Sequence, residues 1–149
     1  MKRTTNHWMF KITAIILIIT LFTPSYALAA SSDTTVQPYA SNYLSSYSTY
    51  VCDMGGGDIQ VWFEVMGTGT MDEIGTLSIR LYESTDNVNW TRVKTFSHEN
   101  YSSMLANNDY FHCDYVSYQG NSSRYYKAYV CIWAGKNGNG DTRYVWATE

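Results

Sequence analysis

Hydrophobic and polar residues alternate along most of the chain after residue 43, with the period of two that is typical of β-strands. The alternation is clearest in IQVWFEV (59–65), in TLSIRLYE (76–83) and in YYKAYVCIW (125–133). No window repeats apolar residues with the spacing of an amphipathic helix. β-Branched and aromatic residues dominate the alternating segments. The pattern therefore predicts an all-β protein.

Turn sequences divide this pattern at regular intervals. They include MGGGD (54–58), STDNVN (84–89) and GKNGNGD (135–141), and Gly67 to Gly75 form a further predicted loop. Glycine, Asn and Asp are the residues that tight turns need. The intervals between the turns predict seven strands: 43–52, 59–65, 76–83, 90–97, 110–118, 124–134 and 142–148. Seven short strands favour one antiparallel β-sandwich or a small barrel.

The phase of the alternation predicts which side chains form the core. Tyr126, Ala128, Val130 and Ile132 are expected to face inward, and so are the apolar positions of 59–65 and of 77–81. In the fifth predicted strand we expect a third inward set, which consists of Phe111, Cys113 and Tyr115.

The first 29 residues have the three parts of a secretory signal peptide. Basic residues come first, an uncharged apolar run (ITAIILIITLF, 12–22) follows, and Ala27-Leu28-Ala29 offers a cleavage site. The run is shorter than the ~20 residues that span a bilayer. We therefore expect a secreted protein that is not inserted in the membrane after cleavage. A Ser/Thr-rich lead-in (30–42) would precede one β-domain (43–149).

Charge and composition restrict the possible partners. The signal contains three of the ten Lys and Arg but none of the 13 Asp and Glu, so the remaining chain is more acidic than the whole. Such a balance argues against nucleic acid as a ligand. Most of the 14 Tyr and five Trp lie after the signal. This aromatic content argues against a disordered secreted segment.

The remaining cysteines, Cys52, Cys113 and Cys131, are odd in number and cannot form a closed disulfide framework. Cys113 and Cys131 would lie opposite each other if the fifth and sixth predicted strands formed a hairpin. A bridge between them is a minority prediction, because it disagrees with the inward phase expected for Cys113.

RYYKAYVCIWAGKNGNGD resembles the sixth strand and following turn of fibronectin type III-like and immunoglobulin-like sandwiches, with Tyr126 as the corner tyrosine. The chain departs from immunoglobulin domains because strand 59–65 lacks a Cys to pair with Cys131. More closely, PYASNYLSSYS, GTGTMDEIG and RYYKAYVCIWAGK resemble a family of short exported proteins of Gram-positive bacteria, which is known only as a domain of unknown function. This resemblance implies export and a single domain, but no activity and no site residues.

No sequence motif of a known catalytic or metal site is present. His112 and Asp114 could share a strand face, but too few other ligands accompany them, and we interpret them as a polar surface stripe. The carboxylates that a hydrolase could use are Glu64, Asp72, Glu73 and Glu83. Acidic residues in loops and at strand ends are more often solvated. We therefore expect no enzyme activity, no metal and no cofactor.

The aromatic residues on the outward phase are the best candidate for function. Tyr125, Tyr129 and Trp133 alternate with the expected core, and Tyr82, Tyr144 and Trp146 have the same phase in their strands. Arg80 and Lys127 would lie among them. Such a face could bind a glycan or an extracellular protein. It could instead be the self-association surface of a structural protein of the cell surface, or merely stabilise its own sheet by cross-strand pairing.

Overall fold

The computed structural model describes residues 41–149, so the predicted signal peptide (1–29) and nearly all of the lead-in (30–42) lie outside the described residues. The described chain is all-β apart from one short 3₁₀ turn, Ser102–Met104. Its strands are β1 (Leu44–Asp53), β2 (Asp58–Ser84), β3 (Thr91–Ser97), β4 (Leu105–Gln119), β5 (Tyr125–Lys136) and β6 (Asn139–Thr148). All pairings are antiparallel.

The 27-residue strand β2 organises the sheet, because four other strands pair with it. Its first part pairs with β1 on one edge and with β4 on the other. Its second part pairs with β5 on one edge and with the start of β4 and then β3 on the other. β5 pairs in turn with β6. The result is one curled antiparallel sheet.

One face of both parts of the sheet encloses a single hydrophobic core. As the alternation predicted, Ile59, Val61, Phe63 and Val65 are fully buried, and the inward positions of β5 pack against them. β3 contributes Phe96 to the same core. The inward phase predicted for 59–65 and for β5 is therefore confirmed.

The described residues form six strands rather than the seven predicted, because the predicted loop 67–75 is part of β2. Met66 pairs with Phe111 and Met71 with Asp109, so residues 67–70 lie opposite Tyr110 alone. A second irregularity lies between Thr76 and Ser78. These β-bulges bend the strand without ending it. The second bulge also leaves Leu77, a predicted core residue, only half-buried, while Thr76 is buried.

The phase predicted for β4 is wrong. Phe111, Cys113 and Tyr115 are exposed. The alternate residues face the core side instead, since His112 pairs with buried Val65. The His112 ring lies 5.4 Å from the ring of Phe63, and its Nε2 contacts the Ser103 carbonyl at 2.7 Å. A hydrogen-bond partner in the 3₁₀ turn therefore lets a polar ring face inward.

The turn between β5 and β6 is the tight hairpin that Asn-Gly predicts. Asn137 and Gly138 have φ values of 53° and 74°, and the flanking residues Lys136 and Asn139 pair directly. Two successive positive φ angles are the signature of the type I′ turn, whose twist matches that of the strands. The Asp72 carboxylate accepts the Asn137 N–H at 2.6 Å, which ties this turn to β2.

Tyr126, the second residue of β5, is a buried corner residue. Its hydroxyl accepts the backbone N–H of Asn121 at 2.7 Å and lies 3.4 Å from Glu83 Oε2. Burial raises the pKa of this phenol, so it remains a neutral donor and acceptor at physiological pH. The ring contributes to the core while the hydroxyl fixes the connection between β4 and β5.

We expect Tyr126→Phe to lower the free energy of unfolding by about 1–3 kcal/mol, because the Asn121 amide loses its partner. Urea denaturation followed by tryptophan fluorescence would measure the change. Tyr125→Phe is the matched control, because Tyr125 is the adjacent residue and is 48 % exposed. Equal stability of the two variants would contradict the structural role of the Tyr126 hydroxyl.

Gly75 allows the close approach of β2 to the 3₁₀ turn. Its φ is 144°, and a Cβ there would lie 2.2 Å from the Met104 carbonyl oxygen. We expect Gly75→Ala to destabilise the protein by more than about 1 kcal/mol in the same denaturation assay. Gly69→Ala, where an added Cβ meets nothing within 4 Å, should have little effect. Unchanged stability of Gly75→Ala would contradict the close contact between Gly75 and the Met104 carbonyl.

Candidate functional site

Four of the six predicted site aromatics lie together on the outer face of the second part of the sheet. The rings of Tyr129 and Trp146 are 4.8 Å apart, those of Tyr129 and Tyr144 are 5.7 Å apart, and those of Tyr82 and Trp146 are 5.5 Å apart. They come from three adjacent strands, since Arg80, Tyr129 and Trp146 are paired in register. Direct cross-strand neighbours point to the same face, which is why these rings meet.

Lys127 lies among these rings. Its Nζ is 4.2 Å from the ring centroid of Trp90 and 4.7 Å from that of Trp146. Both distances are within the range of cation–π attraction. Trp90 was absent from the predicted site, because it precedes β3 and its contact with Lys127 depends on the path of the preceding loop. Its only sequence signal is its place beside a turn.

The other two predicted aromatics lie elsewhere. Tyr125 is exposed at the start of β5, where it lines a shallow pocket with Asp53, Arg124 and Glu149. Trp133 folds back over the hairpin, and a Cβ on Gly140 would lie 2.4 Å from its Cη2. Glycine at 140 therefore makes room for this indole. Neither residue belongs to the ring cluster.

We call the ring cluster and its cations the basic aromatic face. Its members are Arg80, Tyr82, Trp90, Lys127, Tyr129, Tyr144 and Trp146. Arg92, which pairs with Tyr82, adds a third cation beside it. Trp146 and Tyr144 are 52 % and 58 % exposed. The face thus presents a wide aromatic surface with positive charge among and beside its rings.

Cys131 points to the same side of the sheet as this face, but its neighbours cover it. It is 5 % exposed and pairs with Ser78 on one side and Tyr144 on the other. Burial raises the pKa of its thiol. The three cysteines are free, and Cys113 pairs with Glu64 of β2 instead of lying opposite Cys131. The structure therefore contradicts the minority prediction of a Cys113–Cys131 bridge.

A second row of aromatic rings crosses the outer face of the first part of the sheet. Tyr50, Trp62 and Tyr115 are paired in register across β1, β2 and β4. The rings of Tyr50 and Trp62 are 6.2 Å apart and nearly parallel, and those of Trp62 and Tyr115 are 4.6 Å apart. The row was not predicted, because Tyr115 was expected in the core, whereas it is exposed. The one sequence feature that pointed to this row was the alternation in IQVWFEV, which predicts that Trp62 faces outward.

Carboxylates accompany this second row. Glu64 is exposed, accepts the Ser48 hydroxyl at 3.3 Å and lies 3.9 Å from Cys113 Sγ. Gln60 links Asp58 to the Trp62 indole N–H at 3.1 Å. We call this surface the acidic aromatic face. Its members are Tyr50, Asp58, Gln60, Trp62, Glu64 and Tyr115. The exposed Met66 and Phe111 lie next to it.

The other candidate residues have separate partners. His112 and Asp114 do share a face, but the His112 ring packs against Phe63 and its Nε2 contacts the Ser103 carbonyl. Glu83 is held by Tyr126, and Asp72 by Asn137. Among residues 41–149, no group of three or more His, Cys, Asp or Glu is placed to hold a metal ion. The candidate carboxylates therefore share no hydrogen-bond partner that would unite them in one site.

Comparisons with protein-family models, with curated proteins and with solved structures found no significant match. Within the part of the chain that the structure describes, no helix is long and apolar enough to cross a membrane.

The cysteines offer a test of the site geometry. Cys113 is exposed as a residue, but its thiol is partly desolvated. This desolvation and the negative charge of Glu64 raise the pKa of the thiol. Glu64→Gln removes a negative charge, which should lower that pKa and speed alkylation of Cys113 by iodoacetamide severalfold near pH 8, because the thiolate is the reactive form. Peptide mass mapping over time would measure the rate.

Cys131 is the internal control for this experiment. Its thiol is buried, so it should stay unlabelled in both variants until denaturant is added. A wild-type mass that rises by two hydrogens on reduction would contradict the free cysteines. An unchanged Cys113 rate in Glu64→Gln would contradict the Glu64–Cys113 contact.

Proposed function

We propose that the protein is an exported, non-catalytic binding protein whose basic aromatic face binds an extracellular glycan that carries acidic groups. In this proposal the curled sheet is a small sandwich of the immunoglobulin-like or fibronectin type III-like kind. Export rests on the signal-peptide pattern of residues 1–29. The binding role rests on the aromatic face.

The observation that carries this proposal is the pair of half-exposed rings, Tyr144 and Trp146, held by contact with Tyr129. Neighbouring rings restrict the rotation of these side chains before a ligand arrives. Little conformational entropy is then lost on binding. Tyr and Trp rings offer a broad apolar surface with a polar edge, which suits the C–H face of a sugar ring.

The charge of the face favours an acidic glycan over a neutral one. Arg80, Arg92 and Lys127 lie on or beside it, while the strand pairings bring no carboxylate into the cluster. A guanidinium can donate two parallel hydrogen bonds to a carboxylate or a sulfate group. Stacking would then supply affinity, and the arginines would select for charged sugars.

We expect a uronic-acid polymer such as polygalacturonate to quench tryptophan fluorescence, and a neutral glucan to do so much less. Trp146→Ala should weaken binding at least about tenfold, because truncating a hot-spot aromatic residue costs about 2 kcal/mol or more and a tenfold change corresponds to about 1.4 kcal/mol. Trp62→Ala is the matched control, because Trp62 is also a half-buried outer-face tryptophan but lies on the other aromatic face.

Three results would overturn this proposal. They are equal loss of binding in Trp62→Ala and Trp146→Ala, no response to any acidic or neutral polysaccharide, or binding only of a protein partner. Trp133→Ala serves as a second comparison. Its ring lies over the hairpin, so its loss should change stability rather than glycan affinity.

A further inference from the structure

The two aromatic faces have opposite charge. The acidic aromatic face lies on β1, on the first part of β2 and on β4, and these segments contain no Lys or Arg. All seven Lys and Arg of the described chain lie between residues 80 and 143. The charges that flank the two ring clusters are therefore segregated, with Glu64 and Asp58 on one and Arg80 and Lys127 on the other.

Both faces also expose more apolar surface than isolated side chains would. On the acidic side, Met66, Phe111 and Tyr115 are each 38–41 % exposed around the Tyr50–Trp62–Tyr115 row. On the basic side, Tyr144 and Trp146 are more than half exposed. Contiguous apolar patches with a polar rim mark interaction surfaces on monomeric proteins. Aromatic residues and Arg are also the residues enriched where protein interfaces bind most tightly.

We propose that the acidic aromatic face of one copy docks on the basic aromatic face of a second copy. The Tyr50–Trp62–Tyr115 row would stack against the Trp146 cluster, with Glu64 and Asp58 opposite Arg80 and Lys127. Electrostatic complementarity of this kind selects the partner and fixes its orientation. Two like faces would instead bring charges of one sign together, so the charges disfavour a symmetric dimer through either face.

The geometry of this contact determines the form of the assembly. A contact between two different faces leaves one free face of each kind on every dimer, so further copies can add. The assembly is then an open chain unless its rotation closes a ring. The contact between copies uses the basic aromatic face that we assign to glycan binding, so an acidic glycan would compete with the second copy for that face. The docking does not depend on the glycan proposal.

The first test is the mass of the purified chain after the predicted signal peptide, measured by sedimentation velocity across a wide concentration range. We expect the average mass to rise with concentration and to pass beyond that of a dimer. Raising NaCl from 0.05 to 0.5 M should weaken the association, because exposed charges are screened at high salt. A strictly monomeric protein at high concentration, or an association that salt does not weaken, would overturn the proposal.

The second test separates this contact from a symmetric one. Trp62→Ala removes the centre of the acidic face, and Trp146→Ala the centre of the basic face. Each variant alone should have an association constant at least about tenfold lower than the wild type. An equimolar mixture should form a 1:1 dimer that does not grow, since each partner supplies one intact face. Variants that still self-associate alone, or a mixture that behaves as two monomers, would contradict head-to-tail docking.

Control variants keep the test independent of folding. Circular dichroism and thermal melting should show that both alanine variants fold. Glu64→Arg can replace Trp62→Ala if the latter is unstable, because Glu64 is an exposed side chain. Trp62→Ala should still bind polygalacturonate although it cannot assemble. Glycan binding by a monomeric wild type would refute the assembly and leave the glycan proposal intact. Assembly without a glycan response would refute the glycan proposal and leave the assembly intact.

Discussion

The hydrogen bonding of β2 is the constraint on which the rest of the structure depends. Side chains alternate between the inner and outer faces along this strand, and the alternation continues beyond two bulges, at 66–71 and 76–78. The strand pairs with four others. Because direct neighbours in a sheet share a face, the register of β2 fixes which side chains of its partners face inward or outward. Both aromatic faces are consequences of that register.

Sequence alone predicted the core where apolar residues occupy a single phase. Strand 59–65 and β5 satisfy this condition, and their inward residues are buried as expected. The prediction failed in β4, where Phe111 and Tyr115 made the outward phase look more apolar than the inward one. A partner outside the strand decided the outcome, since the carbonyl of Ser103 satisfies His112. A contact with a residue outside the strand leaves no trace in the alternation within it.

The candidate site was predictable to the same extent. Phase alone placed Tyr82, Tyr129, Tyr144 and Trp146 outward, and the pairing of β2, β5 and β6 brought their rings into contact. Phase could not show that Trp133 folds back over the hairpin. It also could not add Trp90, which lies outside any strand. Knowing which strands are neighbours was the missing information, because outward residues form one surface only when their strands pair.

The continuity of β2 also has a consequence for how the chain reaches its native state. Asp58 pairs with Gln119, and Ser84 pairs with Tyr125, so a single strand must close several long loops before it is fully paired. Contacts between residues far apart in sequence slow folding, and all-β domains with such contacts typically fold in milliseconds to seconds. The β5–β6 hairpin, with its Asn-Gly turn, needs only local contacts. We therefore expect it to form early, while β2 completes its ladders late and exposes its edges in the meantime.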